Sequence, residues 1–124
     1  LRQAFQTFRG IRPGASAGFY MGEEQLPDAD LLFASVQTLG RQAHLDRFNP
    51  GAFDYIVVDE FHHASAPTYQ RLITHFRPAF LLGLTATPNR TDGGDLLTLC
   101  QNNLVYECGL TSGIRRGLLS TFRY

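Results

Sequence analysis

The sequence predicts an α/β fold built on a parallel sheet, and three observations support this prediction. Short apolar runs alternate with segments of helical periodicity along the 124 residues. The apolar runs are continuous rather than alternating with polar residues, which is typical of strands covered on both faces of a sheet. Turn-forming residues separate most of these segments. This order of elements indicates parallel strands joined by helical crossovers.

The first half of the chain predicts two helices and two strands. Apolar residues spaced as on a helix predict a helix over 1–11. The sequence RPGAS ends that helix, and AGFYMG (17–22) predicts a strand. A polar connection leads to a second predicted strand, LLFAS (31–35). Ser35 is a suitable N-cap for a helix over 35–48, which the turn NPG ends.

The second half continues the alternation. Pro67 falls in the first turn of a predicted helix, where its missing N–H costs little. The sequence TATPNRTDGGD is dense in residues that break regular structure. The predicted elements are a strand at 53–58, a helix at 66–76, a strand at 80–84, a short helix at 95–100, a strand at 103–108 and a helix at 111–119.

Composition excludes several classes of protein. The length allows one domain with a core, and no apolar run approaches the roughly 20 residues that span a bilayer. Basic and acidic residues number 11 each, so a nucleic-acid site would have to be local. Cys100 and Cys108 match no disulfide framework or common zinc spacing, which indicates reduced thiols and a cytoplasmic location. The missing initiator methionine suggests a piece of a longer protein.

An acid pair follows the apolar run YIVV. Asp59 and Glu60 stand where the strand ends, and parallel sheets bind ligands beyond the carboxyl ends of their strands. One carboxylate there can hold a divalent cation through its water shell while its neighbour orients an attacking water, as in the Walker-B arrangement of nucleotidases. The alternative is that either acid simply caps the next helix.

The two histidines after the acids raise a second alternative, a zinc site. Because neighbouring residues on an extended strand point to opposite faces, Asp59, Glu60, His62 and His63 do not converge easily on one metal. The chain also lacks a His-Glu-x-x-His helix, which disfavours zinc. A stand-alone metal hydrolase that uses Asp59 and the histidines would show metal-dependent activity in this chain alone.

A second strand end, in LLGLTATPNR, carries two hydroxyl groups. Pro88 favours extended geometry at Thr87. If the segment stays extended, Thr85 and Thr87 share a face and present their hydroxyls towards the neighbouring strand end. The alternative is an ordinary exit from a strand into a turn.

Together, VVDEFHH and GLTATP resemble motifs II and III of the superfamily-2 helicases and translocases, and FASVQTL (33–39) resembles motif Ib. The longer DEFHHASAPTYQRLITHF and GLTATPNRTDG are most similar to the branch that contains restriction-enzyme helicase subunits (ResIII) and excision-repair helicases. The resemblance runs over nearly the whole chain. It implies that residues 1–124 are the C-terminal part of a first motor domain with a RecA-like, P-loop NTPase fold.

The resemblance also implies roles for single residues in ATP hydrolysis. Asp59 would bind the Mg²⁺ of Mg-ATP through water, and Glu60 would position the hydrolytic water. His62 would lie between the nucleotide and motif III. Phe61 stands where the family usually has alanine, which leaves the local packing in doubt. The motif III residues that would couple nucleotide state to the grip on nucleic acid are Thr85, Ala86 and Thr87.

The same resemblance implies a nucleic-acid partner, with DNA favoured over RNA. Ser35, Gln37 and Thr38 match the segment that contacts the nucleic-acid backbone, and hydroxyls at a helix start suit phosphate. The alternative is a routine N-cap without a ligand. Arg90 could meet phosphate or be solvated. The resemblance implies two further partners: a second RecA-like domain of the same chain, and a nuclease or methylase subunit of a restriction–modification system. It implies no membrane partner.

One element of such motors is missing. The family binds phosphates with a Gly-rich loop that ends in Gly-Lys-Ser/Thr, and all eleven basic residues here are arginine. We therefore expect a truncated sheet without the Walker A strand, loop and helix, an exposed edge or apolar surface that promotes self-association, and no activity in the isolated chain. The alternative is a non-catalytic α/β interaction module that has lost the phosphate loop.

Overall fold

The computed structural model of the chain describes residues 1–87 and 96–120. The chain divides into two compact units, Leu1–Gly94 and Asp95–Tyr124. Helices and parallel strands are both present, which confirms the α/β class. Within the described ranges, no helix combines the length and apolar character needed to cross a bilayer.

The first unit opens with a helix and a three-stranded sheet. These elements are α1 (Arg2–Ile11), β1 (Ala17–Met21), β2 (Glu24–Gln25) and β3 (Leu31–Ala34). As predicted, β1 and β3 run parallel, with Phe19 opposite Phe33. The predicted polar connection instead contains β2, which pairs antiparallel with β1. The two-residue turn that folds β2 back begins at Gly22, whose φ of 56° suits a hairpin.

Both faces of this sheet are covered. On one face, the Phe5 ring of α1 lies 4.8 Å from the Phe19 ring and 5.5 Å from the Phe33 ring, measured between centroids. Because side chains alternate along a strand, Tyr20 points to the opposite face, where it is fully buried. The continuous apolar pattern of the strands is therefore explained by two-sided packing.

Four helical segments and two strands complete the first unit: α2 (Val36–Leu39), α3 (Gln42–Leu45), β4 (Tyr55–Val58), a 3-10 turn (Phe61–His63), α4 (Pro67–His75) and β5 (Phe80–Gly83). The single helix predicted over 35–48 is two short helices, because the chain leaves α2 at Gly40 and is extended at Arg41. A Cβ on Gly40 would lie 2.5 Å from Cγ2 of Thr68. The break at Gly40 thus coincides with the close approach of α2 and α4.

The main core lies between the sheets and the layer formed by α2, α3 and α4. Leu32 and Ala34 of β3 and Ile56 of β4 pack against one cluster, so this core joins the two strand groups. The buried members of the cluster are Tyr20, Leu39, Leu45, Phe48, Leu72 and Phe76.

The single sheet predicted from the sequence is two sheets. Strands β4 and β5 form a separate parallel pair, in the register Tyr55 opposite Phe80. Among the described residues, β3 and β4 each have one paired neighbour, so no strand connects the two sheets by hydrogen bonds. One face of the pair is also bare, contrary to the prediction of two covered faces, since Tyr55 is 74 %, Val57 56 % and Phe80 47 % exposed. Self-association through this apolar surface stays a prediction.

Over residues 96–120, the second unit contains two short helices, α5 (Leu96–Leu99) and α6 (Leu110–Arg115). Helix α6 ends before Gly117, whose φ of 68° is the left-handed conformation common after a helix. The strand predicted at 103–108 is wrong, because those residues form no regular structure and Val105 is 79 % exposed. A short apolar run forms a strand only where a neighbouring strand pairs with it.

The buried Tyr20 hydroxyl links β1 to α3 and to the turn that follows α3, and we expect its removal to destabilise the fold. It lies 3.0 Å from His44 Nδ1 and accepts a hydrogen bond from Arg47 Nη1 at 3.1 Å. Tyr20→Phe should lower the free energy of unfolding by about 0.5–1.5 kcal/mol, measured by urea denaturation. The matched control is Tyr55→Phe, at a ring that is 74 % exposed, which should change it by less than about 0.5 kcal/mol. Equal effects in the two variants would contradict a structural role for the Tyr20 hydroxyl.

Candidate active site

The ends of β4 and β5 build one rim. The two strands are parallel and in register, so Val58 and Gly83 lie side by side at their carboxyl ends. The backbone continues the pairing beyond the strands, because Leu84 N donates to Val58 O at 2.9 Å and Phe61 N donates to Leu84 O at 2.8 Å. The acid pair after β4 and Thr85 after β5 therefore fall on the same edge of this sheet, where ligands bind in parallel folds.

The acid pair forms a sharp turn. Glu60 has φ 52° and ψ 44°, a left-handed conformation that is uncommon outside glycine. Its N–H donates to Asp59 Oδ1 at 2.9 Å, which orients the Asp59 carboxylate. Such a conformation costs on the order of 1–3 kcal/mol and persists only where the surroundings enforce it. The turn directs the chain from the end of β4 into the 3-10 turn that carries His62.

His62 connects the acid turn with the segment after β5. Its side chain is only 8 % exposed, and its Nδ1 lies 3.1 Å from Thr85 Oγ1 and 3.3 Å from Glu60 Oε2. Nδ1 of His62 therefore lies close to one group from each of the two predicted motifs, the Glu60 carboxylate and the Thr85 hydroxyl.

The two threonines after β5 do not share one extended face. Thr87 N donates to Thr85 Oγ1 at 3.1 Å, and the chain bends at Ala86. The extended segment on which the shared presentation of the two hydroxyls depended is therefore absent, because the Thr85 hydroxyl binds the backbone two residues on and closes a local turn. Thr85 faces His62, whereas Ala86 and Thr87 are exposed. Pro88 and Arg90, which the sequence interpretation also used, lie outside the described residues.

The phenylalanine at the family's alanine position has a defined place. Phe61 is 4 % exposed, and its ring covers Gly83 so closely that a Cβ there would lie 2.5 Å from the ring's Cγ. Phe61, whose packing the sequence left in doubt, is thus buried in a space that exists because Gly83 has no side chain. Sequence reasoning missed Gly83, although a glycine inside an apolar strand often marks such a close approach.

The carboxylates fit a magnesium ion held through water. Asp59 is exposed and uses one oxygen for Glu60 N, which leaves Oδ2 for a metal-bound water. The Glu60 side chain is 61 % exposed. Mg²⁺ usually keeps several waters and is bound by one or two carboxylates together with substrate phosphates. In the described part of the chain, no group of three or more His, Cys, Asp or Glu residues is arranged to hold a metal.

Tyr69 of α4 belongs to the same neighbourhood, and no pattern in the sequence indicated this. Burial raises the pKa of the Tyr69 phenol above 10.0, and the negative charges of Glu60 and Asp59 raise it further. The Tyr69 ring also lies 6.1 Å from the His63 ring, centroid to centroid. The start of α4 therefore faces the acid turn.

The residues predicted to contact nucleic acid lie at the start of α2, and most of their polar groups are engaged. Ser35 Oγ accepts from Thr38 N at 3.2 Å and donates to Thr38 Oγ1 at 2.9 Å. Thr38 Oγ1 also accepts from Gly22 N at 3.2 Å. Ser35 is thus an N-cap, as the alternative interpretation held, and Gln37 is the exposed side chain of the three. Their contact with nucleic acid stays a prediction.

Comparison with known proteins gives consistent matches. Residues 1–90 match the family described as Type III restriction enzyme, res subunit (ResIII). In Saccharomyces cerevisiae, "Putative ATP-dependent helicase IRC3" is 30 % identical over 116 residues, 87 % of this chain and 16 % of that protein. In Schizosaccharomyces pombe, "Putative mitochondrial ATP-dependent helicase irc3" is 35 % identical over 101 residues, 76 % of this chain and 16 % of that protein.

A viral protein is also similar. "Putative helicase 109L" of Invertebrate iridescent virus 3 is 32 % identical over 71 residues, 57 % of this chain and 22 % of that protein. The chain thus spans only 16–22 % of the length of these relatives. The family match covers residues 1–90, which is most of this chain. The chain therefore belongs to the ResIII family and carries part of the helicase domain of that family.

Proposed function

We propose that this chain is the C-terminal part of the first RecA-like domain of an ATP-dependent nucleic-acid helicase or translocase. The observation that carries the proposal is the bridge at His62, whose Nδ1 lies within 3.3 Å of both Glu60 and Thr85. It joins the acid turn to the neighbouring strand end, as expected for a site that couples hydrolysis to movement. The family match and the names of the relatives support the same function.

Each residue at the rim has a defined task in this proposal. When bound with ATP, Mg²⁺ would neutralise charge at the transferred phosphate. Asp59, oriented by the Glu60 N–H, would hold the ion through water with its free oxygen. Glu60 accepts a proton from the attacking water, and its contact with His62 limits where the carboxylate can lie. His62 passes a shift of Glu60 on to Thr85, and Ala86 and Thr87 follow because Thr87 N is bonded to the Thr85 hydroxyl.

The remaining parts of the machine are proposed to lie elsewhere in the full-length protein. The chain contains no lysine, so a Gly-Lys-Ser/Thr loop must come from another segment. A second RecA-like domain would complete the nucleotide site. We further propose a DNA strand as the partner, a nuclease or methylase as a companion subunit, and a cytoplasmic location. One relative carries the word mitochondrial in its name.

The proposal is tested by ATP hydrolysis in the full-length protein that contains this chain. We expect turnover that requires Mg²⁺, disappears with EDTA and increases when single-stranded DNA is added. The isolated chain of 124 residues should show neither turnover nor tight binding of Mg-ATP. Micromolar affinity or turnover in the isolated chain would contradict its role as a part of the domain. A full-length protein without hydrolysis would instead support a non-catalytic interaction module.

A further inference from the structure

We propose that the cavity between the start of α2 and the start of α4 binds a base of a nucleic-acid strand, with His63 and Tyr69 as aromatic walls and Gln37 as its polar edge. The inference rests on the proposed function and extends it from backbone contact to a base-binding subsite. The cavity measures about 250 Å³. Its walls are formed by Val36, Gln37, His63, Ala66, Thr68 and Tyr69.

Helices α2 and α4, whose starts flank the cavity, are held in a fixed relation to each other. Gly40 at the end of α2 lies so close to α4 that a Cβ would approach Thr68 Cγ2 to 2.5 Å. Arg71 of α4 donates from Nε to Gly40 O at 3.1 Å. Since both contacts join the same two helices, the opening between Gln37 and Tyr69 is set by the packing of α4 against the end of α2.

The chemistry of the walls suits a flat heterocycle. The rings of His63 and Tyr69 lie 6.1 Å apart at 44° to each other, so they are not stacked on one another. Because His63 also lies 4.1 Å from His62, the Tyr69 ring is the wall on which a base would stack. Bases stack on aromatic side chains regardless of sequence. The exposed Gln37 amide offers both a donor and an acceptor, which matches the edge of a base. Val36 and Ala66 add apolar wall.

The electrostatics favour a base over a phosphate. None of the residues that line the cavity is arginine, and the chain contains no lysine. The charges of Glu60 and Asp59 reach Tyr69, where they and burial, the larger cause, raise the pKa of the phenol. A phosphate site usually provides a cationic side chain, whereas an uncharged base needs none.

The position of the cavity connects it to the candidate active site. The ring of His63 lies 4.1 Å from that of His62, centroid to centroid, and His62 contacts Glu60 and Thr85. Gln37 belongs to the segment predicted to meet the strand. A base in the cavity would therefore contact His63, the residue next to the bridging His62. This contact gives the nucleic-acid strand a short physical connection to the acid turn.

The test compares ring removal with ring conservation in the full-length protein. Binding of a single-stranded DNA oligonucleotide labelled with a dye is measured by fluorescence anisotropy for Tyr69→Ala and Tyr69→Phe. Tyr69→Ala should weaken binding about fivefold to about a hundredfold, the range for one stacked base. Tyr69→Phe should stay within about twofold of the wild type. An oligonucleotide in which every base is replaced by an abasic site should remove the difference between the variants.

Gln37→Ala keeps the inference testable if Tyr69→Ala does not fold. Gln37 is exposed, and its loss should weaken DNA binding about twofold to about tenfold, the value of one hydrogen bond. Equal DNA affinity of the wild type, Gln37→Ala and any folded Tyr69→Ala would overturn the subsite. If Tyr69→Ala weakens binding of a fluorescent ATP analogue and not of DNA, the cavity takes the base of a free nucleotide, and the strand assignment is wrong.

Failure of the subsite and failure of the proposed function give different results. A wild-type protein that binds DNA and hydrolyses ATP, with variants of unchanged DNA affinity, overturns only the subsite. A wild-type protein that neither binds single-stranded DNA nor hydrolyses ATP overturns the proposed function and the subsite together.

Discussion

Glu60→Gln in the full-length protein is expected to abolish ATP hydrolysis and to leave ATP binding intact. Glutamine keeps the size of the side chain but cannot take a proton from the attacking water. A positioned general base contributes on the order of 10²–10⁴ in rate, so turnover should fall by at least about a hundredfold. Hydrolysis is measured by phosphate release, and binding is measured separately with a fluorescent ATP analogue.

The matched control for this prediction is Glu23→Gln. Glu23 is an exposed glutamate in the turn between β1 and β2, away from the acid turn, and its replacement removes the same charge. The control should hydrolyse ATP at the wild-type rate. Unchanged turnover in Glu60→Gln would remove Glu60 from the mechanism, and equal loss in both variants would point to net charge rather than to the site.

A further variant, Glu60→Gly, separates the effect of the backbone conformation at this position from the effect of losing the carboxylate. Because Glu60 is left-handed, with φ 52°, glycine at this position should relieve strain. Glu60→Gly should therefore be at least as stable as the wild type in thermal unfolding and still be inactive. Loss of stability would show that the carboxylate contact with His62 matters more for the fold than the backbone strain does.

The elements whose bounds depend on local sequence were predictable. The apolar spacing of the first helix, the run YIVV and Pro67 each identify an element that the structure contains at nearly the same place. The acid pair and Thr85 were correctly placed on one edge, since parallel strands put their carboxyl ends together. Periodicity and turn residues suffice for such features.

The features that depend on contacts distant in sequence were not predictable. The break at Gly40 reflects its approach to Thr68, and the split into two sheets reflects which strands find partners. The region 103–108 has the composition of a strand but no neighbour to pair with among the described residues. At the site, the left-handed Glu60 arises from how the tertiary structure joins β4 to the following turn. Local composition contains none of this information.

Gly83→Ala is expected to destabilise the chain through a single clash. The new Cβ would lie 2.5 Å from Cγ and 2.6 Å from Cδ1 of the Phe61 ring, which is buried and cannot swing into solvent. Overpacking of this kind costs about 1–3 kcal/mol. The free energy of unfolding is measured by urea denaturation. Gly10→Ala is the control, because a Cβ there meets no atom within 4 Å and alanine favours helix α1.

Phe61 is the packing partner of Gly83, so substitutions at both positions test the same contact. Phe61→Ala alone should cost about 3–5 kcal/mol, because it leaves a cavity over Gly83. In the double variant, the methyl group introduced by Gly83→Ala enters the space that the ring has left, so the loss should be smaller than the sum of the two single losses by about 0.5–3 kcal/mol. Strict additivity would mean that Phe61 and Gly83 do not form a packing pair. A combined loss smaller than the sum would show that Phe61 packs in its place because the residue at the end of β5 is a glycine.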